Sequence, residues 1–297
     1  MKITFVEKNG CKYVTGVSLP KRARESHKYN YGCDLVIGGC TGYTGAPYYS
    51  AEAASRAGAG LVMMGVPDNI YVIEAVKARS AMPFPLPCDE DGRLAAGAVC
   101  DIEKRFPKTS AMLIGPGLGL GSEIEKLVAE LAARYSGRII LDADGINAAA
   151  RHIDILGSSE KPMILTPHTG EFARLGGDLG KNKAEAAAEF SKKHRCVTVL
   201  KGPDTVTAFP DGDVYINTTG SPALAKGGSG DVLAGIMLAF IGRGFDLKAA
   251  VPGAVYVHGL CGDIAAGKFG EESVLPQDLI DAIPMALSAE KHISPLR

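Results

Sequence analysis

An α/β fold of three layers, with a mainly parallel sheet between two sets of helices, is predicted on three observations. Short, continuous apolar runs recur between residues 34 and 200, helical patterns separate them, and the runs end in glycine, proline or small polar residues. A continuous apolar run marks a strand covered on both faces, because a strand with one wet face alternates instead. With 297 residues, 46% of them hydrophobic, the chain can bury roughly 75% of its unfolded surface and needs no disulfide or metal to fold.

Residues 1–30 are polar, basic around Lys21, Arg22 and Arg24, and poor in apolar runs, which suggests an arm or edge hairpin that serves packing between subunits. Residues 31–297 read as a single domain, since no linker, repeat or low-complexity tract interrupts them. Strands are expected at Asp34-Leu-Val-Ile-Gly38, Leu61-Val-Met-Met-Gly65, Ala111-Met-Leu-Ile-Gly115, Arg138-Ile-Ile-Leu-Asp142, Met163-Ile-Leu-Thr166 and Cys196-Val-Thr-Val-Leu200. Helices fit between them over 47–58, 69–78, 94–105, 122–135 and 182–194. Beyond residue 200, Thr205 to Phe209 and Val214 to Thr218 flank Pro210-Asp211-Gly212, the signal of an antiparallel edge hairpin. Helical patterns over 229–243, 247–267 and 276–290 complete the chain.

Composition excludes several classes of function. Thirty-two Lys+Arg against 33 Asp+Glu leave a net charge of −1, so no broad surface for nucleic acid or acidic membrane is expected. Lys2, Glu7 and Lys8 fall where a signal peptide needs an apolar run, and no run approaches 18 apolar residues, so the expectation is a soluble, cytoplasmic protein. Seven cysteines without CxxC or zinc-ligand spacing read as reduced thiols. The 37 glycines are an excess without a Gly-X-Y period, which excludes collagen.

In an open α/β sheet, ligands bind beyond the carboxyl ends of the strands. The segments there are Gly38-Gly-Cys-Thr-Gly-Tyr-Thr-Gly45, Gly115-Pro-Gly-Leu-Gly119, Asp142-Ala-Asp-Gly145, Thr166-Pro-His-Thr-Gly-Glu171 and Lys201-Gly-Pro-Asp-Thr205. The first lacks GxGxxG, so a standard dinucleotide fold is not expected. Lys226-Gly-Gly-Ser-Gly-Asp231 runs directly into an apolar helix: its glycines let backbone N–H groups approach an anion, and the helix end adds free donors and a positive dipole. It is not a Walker A loop. Asp231 is either the cap of that helix or, beside a polyphosphate, the base that takes a proton from an attacking hydroxyl. His168 can contact substrate or serve structure. Glu171 can reach Mg²⁺ through water or simply occupy the first turn of its helix. Asp142 and Asp144 can act with magnesium or hold loop backbone, and Lys201 can screen phosphate charge.

Taken together, these motifs resemble the ADP/ATP-dependent NAD(P)H-hydrate dehydratases, a branch of the ribokinase-like fold. The resemblance runs from Leu19 to about Asp281 and includes Leu19-Pro-Lys-Arg, Val36-Ile-Gly-Gly, Thr44-Gly-Ala-Pro, Ala57-Gly-Ala-Gly-Leu-Val62, Gly115-Pro-Gly-Leu-Gly119, Leu141-Asp-Ala-Asp-Gly-Ile-Asn147, Leu165-Thr-Pro-His-Thr-Gly-Glu171, Leu200-Lys-Gly and Gly227-Gly-Ser-Gly-Asp-Val-Leu233. It implies that Ala46, Gly117, His168 and Asp231 contact the hydrated dinucleotide, NADHX or NADPHX. It implies further that Lys201, Gly202, Pro203, Asp204, Thr205 and Gly230 hold ADP or ATP. Asp231 matches the catalytic aspartate, and Gly227, Gly228, Ser229 and Gly230 the anion hole. The implied chemistry is phosphorylation of the hydrated ring's hydroxyl, with Mg²⁺ on the phosphates, followed by loss of phosphate to restore NADH or NADPH. The resemblance also suggests a homo-oligomer, with a tetramer as its size. Only about 30 residues precede the catalytic domain, so no epimerase activity is expected. Pro47, Tyr48, Tyr49 and Cys40 are larger than is usual in the family's first loop. A small-alcohol kinase of the same fold, such as a hydroxyethylthiazole kinase, and a non-catalytic nucleotide sensor are the rival readings.

Overall fold

Residues 1–288 are described by the computed structural model, which places eleven strands in one sheet. The chain opens with β1 (Lys2–Lys8) and β2 (Cys11–Ser18), then runs through β3 (Cys33–Ile37), α1 (Gly45–Arg56), β4 (Leu61–Pro67), α2 (Asp68–Lys77), β5 (Met82–Leu86) and α3 (Val99–Glu103). It continues with β6 (Ala111–Ile114), α4 (Ser122–Arg134), β7 (Arg138–Leu141), α5 (Asp144–Arg151), β8 (Ile164–Leu165), α6 (Thr169–Arg174), α7 (Lys183–His194) and β9 (Val197–Leu200). The hairpin of β10 (Val206–Ala208) and β11 (Val214–Ile216) precedes α8 (Ser229–Gly242), α9 (Leu247–Phe269) and α10 (Pro276–Ser288). Residues 289 and 290 of the helix expected over 276–290, and the rest of the expected domain to 297, lie outside the described residues.

The strands lie in the order β1-β2-β11-β10-β9-β8-β7-β6-β3-β4-β5, and those from β9 through β5 run parallel to one another. Successive side chains leave opposite faces of a strand, and here both faces are dry. Leu35 and Ile37 of β3 join Met112 and Ile114 of β6 in one core with α4, α5 and α7. Val36 and Leu113 face the other way, into a core with α1, α8, α9 and α10. The expected parallel strands, the antiparallel β10–β11 hairpin and the three layers are therefore present, but the hairpin is not at the edge: β2 pairs with β11, and β1 is the outer strand. The chain order reverses between β3 and β6, which opens a crevice at their carboxyl ends.

Some elements differ from expectation. Strand β5, Met82-Pro-Phe-Pro-Leu, reads poorly as a strand because Pro83 and Pro85 cannot donate to a ladder; it is tolerated at the sheet edge, where only β4 pairs with it. The helix expected over 94–105 contracts to a 3₁₀ turn at Ala96–Ala98 and α3, because Leu94 is held extended in a bridge with Cys88 and the Ala95 N–H is spent on Pro87 O. The first residues form an antiparallel hairpin whose second strand lies parallel to β11, pairing Tyr215 with Lys12. Helix α9 is long and apolar enough to cross a bilayer, but 78% of its apolar window is buried in the core.

Candidate active site

The crevice is built from the loops after β3, β6, β7, β8 and β9, closed by the amino end of α8. That helix begins at an N-cap glycine, Gly228, with φ 94°, a left-handed conformation that disfavours a side chain. A β-carbon at Gly228 would lie 2.7 Å from Pro276 Cγ and 3.2 Å from the Tyr49 ring, so only glycine lets the loop pass there. Because Gly228 is the cap, Asp231 stands in the first turn and its carboxylate caps nothing, which removes the capping alternative. The Ser50 hydroxyl donates to Asp231 O (3.1 Å) and fixes that turn against α1.

Within the four-residue loop the donors divide. Ser229 N–H is turned back onto Lys226 O (3.2 Å), and the Ser229 hydroxyl points inward to His258 Nε2 (3.1 Å). The N–H groups of Gly227, Gly228 and Gly230 have no acceptor among the described residues. His258, on α9, also donates from Nε2 to Ser229 O (2.9 Å); burial pushes its pKa down to about 4, so it is neutral and holds the loop without adding charge. Nothing near His258 in the sequence marked it, since its partner lies on the preceding helix.

Beside this loop, the ends of β7, β8 and β9 deliver a compact charge cluster. Asp142, at the end of β7, is buried and accepts from the Thr166 hydroxyl (2.6 Å) and from Lys201 Nζ (3.0 Å). Lys201 Nζ is also 3.9 Å from Glu171 Oε2, and a β-carbon at Gly230 would lie 3.5 Å from it. Burial pulls the Lys201 ammonium down, but the carboxylates of Asp142, Glu171 and Asp231 outweigh it and hold its pKa above the ordinary value. Asp231 is pushed up to about 8, first by burial and then by the negative charge of Asp142, with Lys201 pulling the other way and Asp144 adding to the rise. A carboxyl that titrates near neutrality is suited to exchange a proton with substrate.

The remaining expected site residues distribute around this cluster. His168 caps α6: its Nδ1 accepts from Gly170 N–H (3.0 Å) and Glu171 N–H (3.3 Å), while Glu171 Oε2 accepts from His168 N–H (2.8 Å). Its ring is half exposed and its Nε2 lies 3.5 Å from Glu171 Oε1. Glu171 is thereby committed to the cap and to Lys201, and burial raises its pKa despite Lys201. Gly117, with φ 66°, abuts Ala46: a β-carbon on the glycine would sit 3.2 Å from Ala46 Cβ and 2.9 Å from Tyr43 O. Ala46, in the first turn of α1 after β3, and Gly117, in the loop after β6, lie on either side of the point where the strand order reverses. Lys201 to Thr205 form a turn in which Gly202 has φ 133° and Asp204 φ 51°; Thr205 Oγ1 donates to Gly202 O (2.9 Å) and Lys183 Nζ to Pro203 O (3.0 Å). Asp144 accepts the Gly119 N–H (2.9 Å) and so ties the β6 loop to α5. Among the described residues no group of three His, Cys, Asp or Glu is placed to hold a metal ion.

A family model described as NAD(P)H-hydrate dehydratase matches residues 35–285. The bifunctional NAD(P)H-hydrate repair enzyme Nnr of Moorella thermoacetica is 40% identical over 273 residues, 91% of this chain but 52% of that protein. The chain thus spans about half the length of the bifunctional relatives it matches. The ADP-dependent (S)-NAD(P)H-hydrate dehydratase of Bacillus subtilis is 35% identical over 271 residues, 90% of this chain and 93% of that one. A crystal structure of the Bacillus subtilis ADP/ATP-dependent NAD(P)H-hydrate dehydratase, co-crystallised with ATP and Mg²⁺, superposes with a TM-score of 0.75 at 33% identity, covering 91% of this chain and 93% of that chain.

Proposed function

The chain belongs to the NAD(P)H-hydrate dehydratase family, and from that membership and the crevice geometry we propose that it dehydrates NADHX and NADPHX to NADH and NADPH at the expense of ADP or ATP. Asp231 is the observation that carries this reading: a carboxyl titrating at about 8, in the first turn of a helix and beside unengaged backbone N–H groups. Asp231 accepts the proton of the ring hydroxyl while that oxygen attacks the terminal phosphoryl group. The new O–P bond replaces the broken phosphoanhydride bond, leaving AMP from ADP or ADP from ATP. The N–H groups of Gly227, Gly228 and Gly230 receive the charge on the transferred group, and Lys201 offsets it without leaving its carboxylates. Phosphate then departs from carbon as the adjacent ring carbon loses a proton, and the double bond returns.

Ala46, Gly117 and His168 hold the hydrated dinucleotide in this reading, and Lys201, Gly202, Pro203, Asp204, Thr205 and Gly230 hold the adenine nucleotide. The oxygen donors Asp142 and Glu171 suit a Mg²⁺ that arrives on nucleotide phosphates, since that ion keeps most of its waters and needs only one or two carboxylates. Such an ion would supply charge neutralisation to the phosphates when bound, and Glu171 would hold it through water. We place the catalytic unit from residue 31 onward, and the protein in the cytoplasm, where its seven free cysteines would stay reduced. A homo-oligomer, tetrameric by analogy, would cover the edge strand β1, which leaves Phe5 40% and Val6 45% exposed.

The test is incubation of NADH hydrate with Mg²⁺ and either nucleotide while dihydronicotinamide absorbance is followed. Recovery of absorbance with stoichiometric phosphate is expected. No recovery with either nucleotide refutes the reading, and a stable phosphorylated product would point to a kinase instead.

A further inference from the structure

Building on that reading of the crevice, we propose that a cavity of about 620 Å³ at the start of α4 and along α5 receives the adenosine end of the hydrated dinucleotide, with Arg174 and Arg151 taking one of its phosphate groups. The volume falls in the range of sites for small organic ligands, roughly 300 to 1,000 Å³. Its walls are of two kinds. Leu120, Ile124 and Ala148 offer apolar surface to a flat base, and Arg151, Arg174 and Asn147 offer polar groups.

The wall carries two carboxylates and two guanidinium groups, and no ion pair among the described residues joins them. Asp144 is satisfied by Gly119 N–H (2.9 Å) and Asn147 Nδ2 (3.2 Å), and Glu125 by His152 Nε2 (3.1 Å). Arg174 donates only to the neutral Asn147 Oδ1 (2.6 Å), and Arg151 has no hydrogen bond or ion pair among the described residues. Two guanidinium groups therefore line the cavity without a carboxylate partner. Their planar donor sets match phosphate oxygens in pairs.

The cavity is joined to the crevice rather than separate from it. A β-carbon on Gly170 would lie 2.9 Å from His168 Cε1 and 3.9 Å from Arg174 Nη2, so the histidine expected to touch substrate and the arginine flank one backbone position. Asp144 lines the cavity and its charge is felt at Asp231. In the sheet, Gly119 and Asp144 follow β6 and β7, whereas Lys201 to Thr205 follow β9, two strands beyond β7. A dinucleotide with its reacting ring at Asp231 can thus extend away from the nucleotide segment and into the cavity. Two phosphates of that molecule have the same chemistry, the bridging pyrophosphate and the 2′-phosphate that only NADPHX carries.

Initial rates with NADHX and NADPHX separate them in the wild type, Arg174→Gln, Arg151→Gln and the double variant, with the KM for ATP measured alongside. Loss of a charge-assisted contact should raise KM for the hydrate about tenfold or more per arginine, with kcat and the ATP KM little changed. A rise with both hydrates assigns the pyrophosphate to the arginines, and a rise confined to NADPHX assigns the 2′-phosphate. Unchanged KM for both hydrates in the double variant overturns the proposal. Arg174→Lys, which keeps the charge without the planar fork, and a thermal melt guard against misfolding as the cause. Fluorescence titration with NADPH needs no turnover and keeps the two claims apart. NADPH binding that weakens in the variants of a protein without dehydratase activity supports the cavity and sinks the reading, and normal turnover with unaltered NADPH affinity sinks the cavity alone.

Discussion

Lys201 Nζ donates to Asp142 Oδ1 at 3.0 Å, and both groups act on the proton affinity of Asp231 with opposite sign. Asp142 raises it, as like charge disfavours a second carboxylate, and Lys201 lowers it. Asp142→Asn should therefore move the ascending, acid-side limb of the kcat profile to lower pH, and Lys201→Met should move it higher. Lys201→Met also strands Asp142 and Glu171 without a counter-charge and should cost about 3 to 5 kcal/mol of stability. A pH-rate series with denaturant titrations of both variants checks this. Shifts in the same direction would show that the cluster does not tune Asp231.

Asp231 itself must be ionised to accept a proton, so wild-type kcat should climb as pH rises through about 8 and level off above it. Asp231→Asn should abolish turnover while leaving the dissociation constant for ATP within about threefold, since the backbone N–H groups of the loop are untouched. Its stability has a definite sign as well. A folded pKa above the ordinary carboxylate value of 3.8 means that the native state loses stability as pH rises from 3.8 towards 8. The asparagine variant should lose that decline, which melts at pH 5 and pH 8 would register.

The parts of the fold that could be read in the sequence are those where local chemistry and tertiary role agree. Leu35, Val36 and Ile37 are all apolar because both faces of β3 are covered, so the run announced a central strand. The glycines before α8 are legible as a tight anion-binding turn, but the sequence offers Asp231 as the cap, and Gly228 takes that place only once its φ of 94° is seen. Other features carry their meaning only in three dimensions. Pro83 and Pro85 speak against a strand until β5 is seen to be the last in the sheet. His258 looks like any histidine in an apolar helix until Ser229 is found against it. The cation pair Arg151 and Arg174 belongs to two helices separated by a strand, and no spacing rule joins them.

The anion loop offers a comparison between two neighbouring glycines. Gly228→Ala imposes a side chain at φ 94° and brings a β-carbon within 2.7 Å of Pro276 Cγ, so it should destabilise by about 1 to 3 kcal/mol and weaken nucleotide binding together. Gly227→Ala has no atom within 4 Å of the new carbon, so the fold should tolerate it. If the Gly227 N–H meets the transferred phosphoryl group, the methyl should still reduce kcat with little change in melting temperature. Melting curves and ATP kinetics for both variants distinguish these outcomes, and equal loss of stability in the two would contradict the geometry.

At the opposite end of β3, Asp34 is fully buried and neither carboxylate oxygen has a hydrogen-bond partner. Its side chain lies against the α-carbon side of Gly242, where a β-carbon would meet Asp34 Oδ1, so the glycine makes room for it without satisfying it. Burial raises its pKa well above the ordinary value. In the unfolded chain the group ionises near 3.8, while in the native state it stays protonated to higher pH. The native state therefore loses stability as pH rises above 3.8, until the folded group ionises as well. Asparagine keeps the shape and removes the ionisation, so Asp34→Asn should raise stability at pH 8 by about 1 to 3 kcal/mol and change it little at pH 4. Denaturant unfolding at the two pH values measures the difference. A variant less stable than wild type at pH 8 would mean that the charged form of Asp34 is held by a partner, contrary to its isolation here.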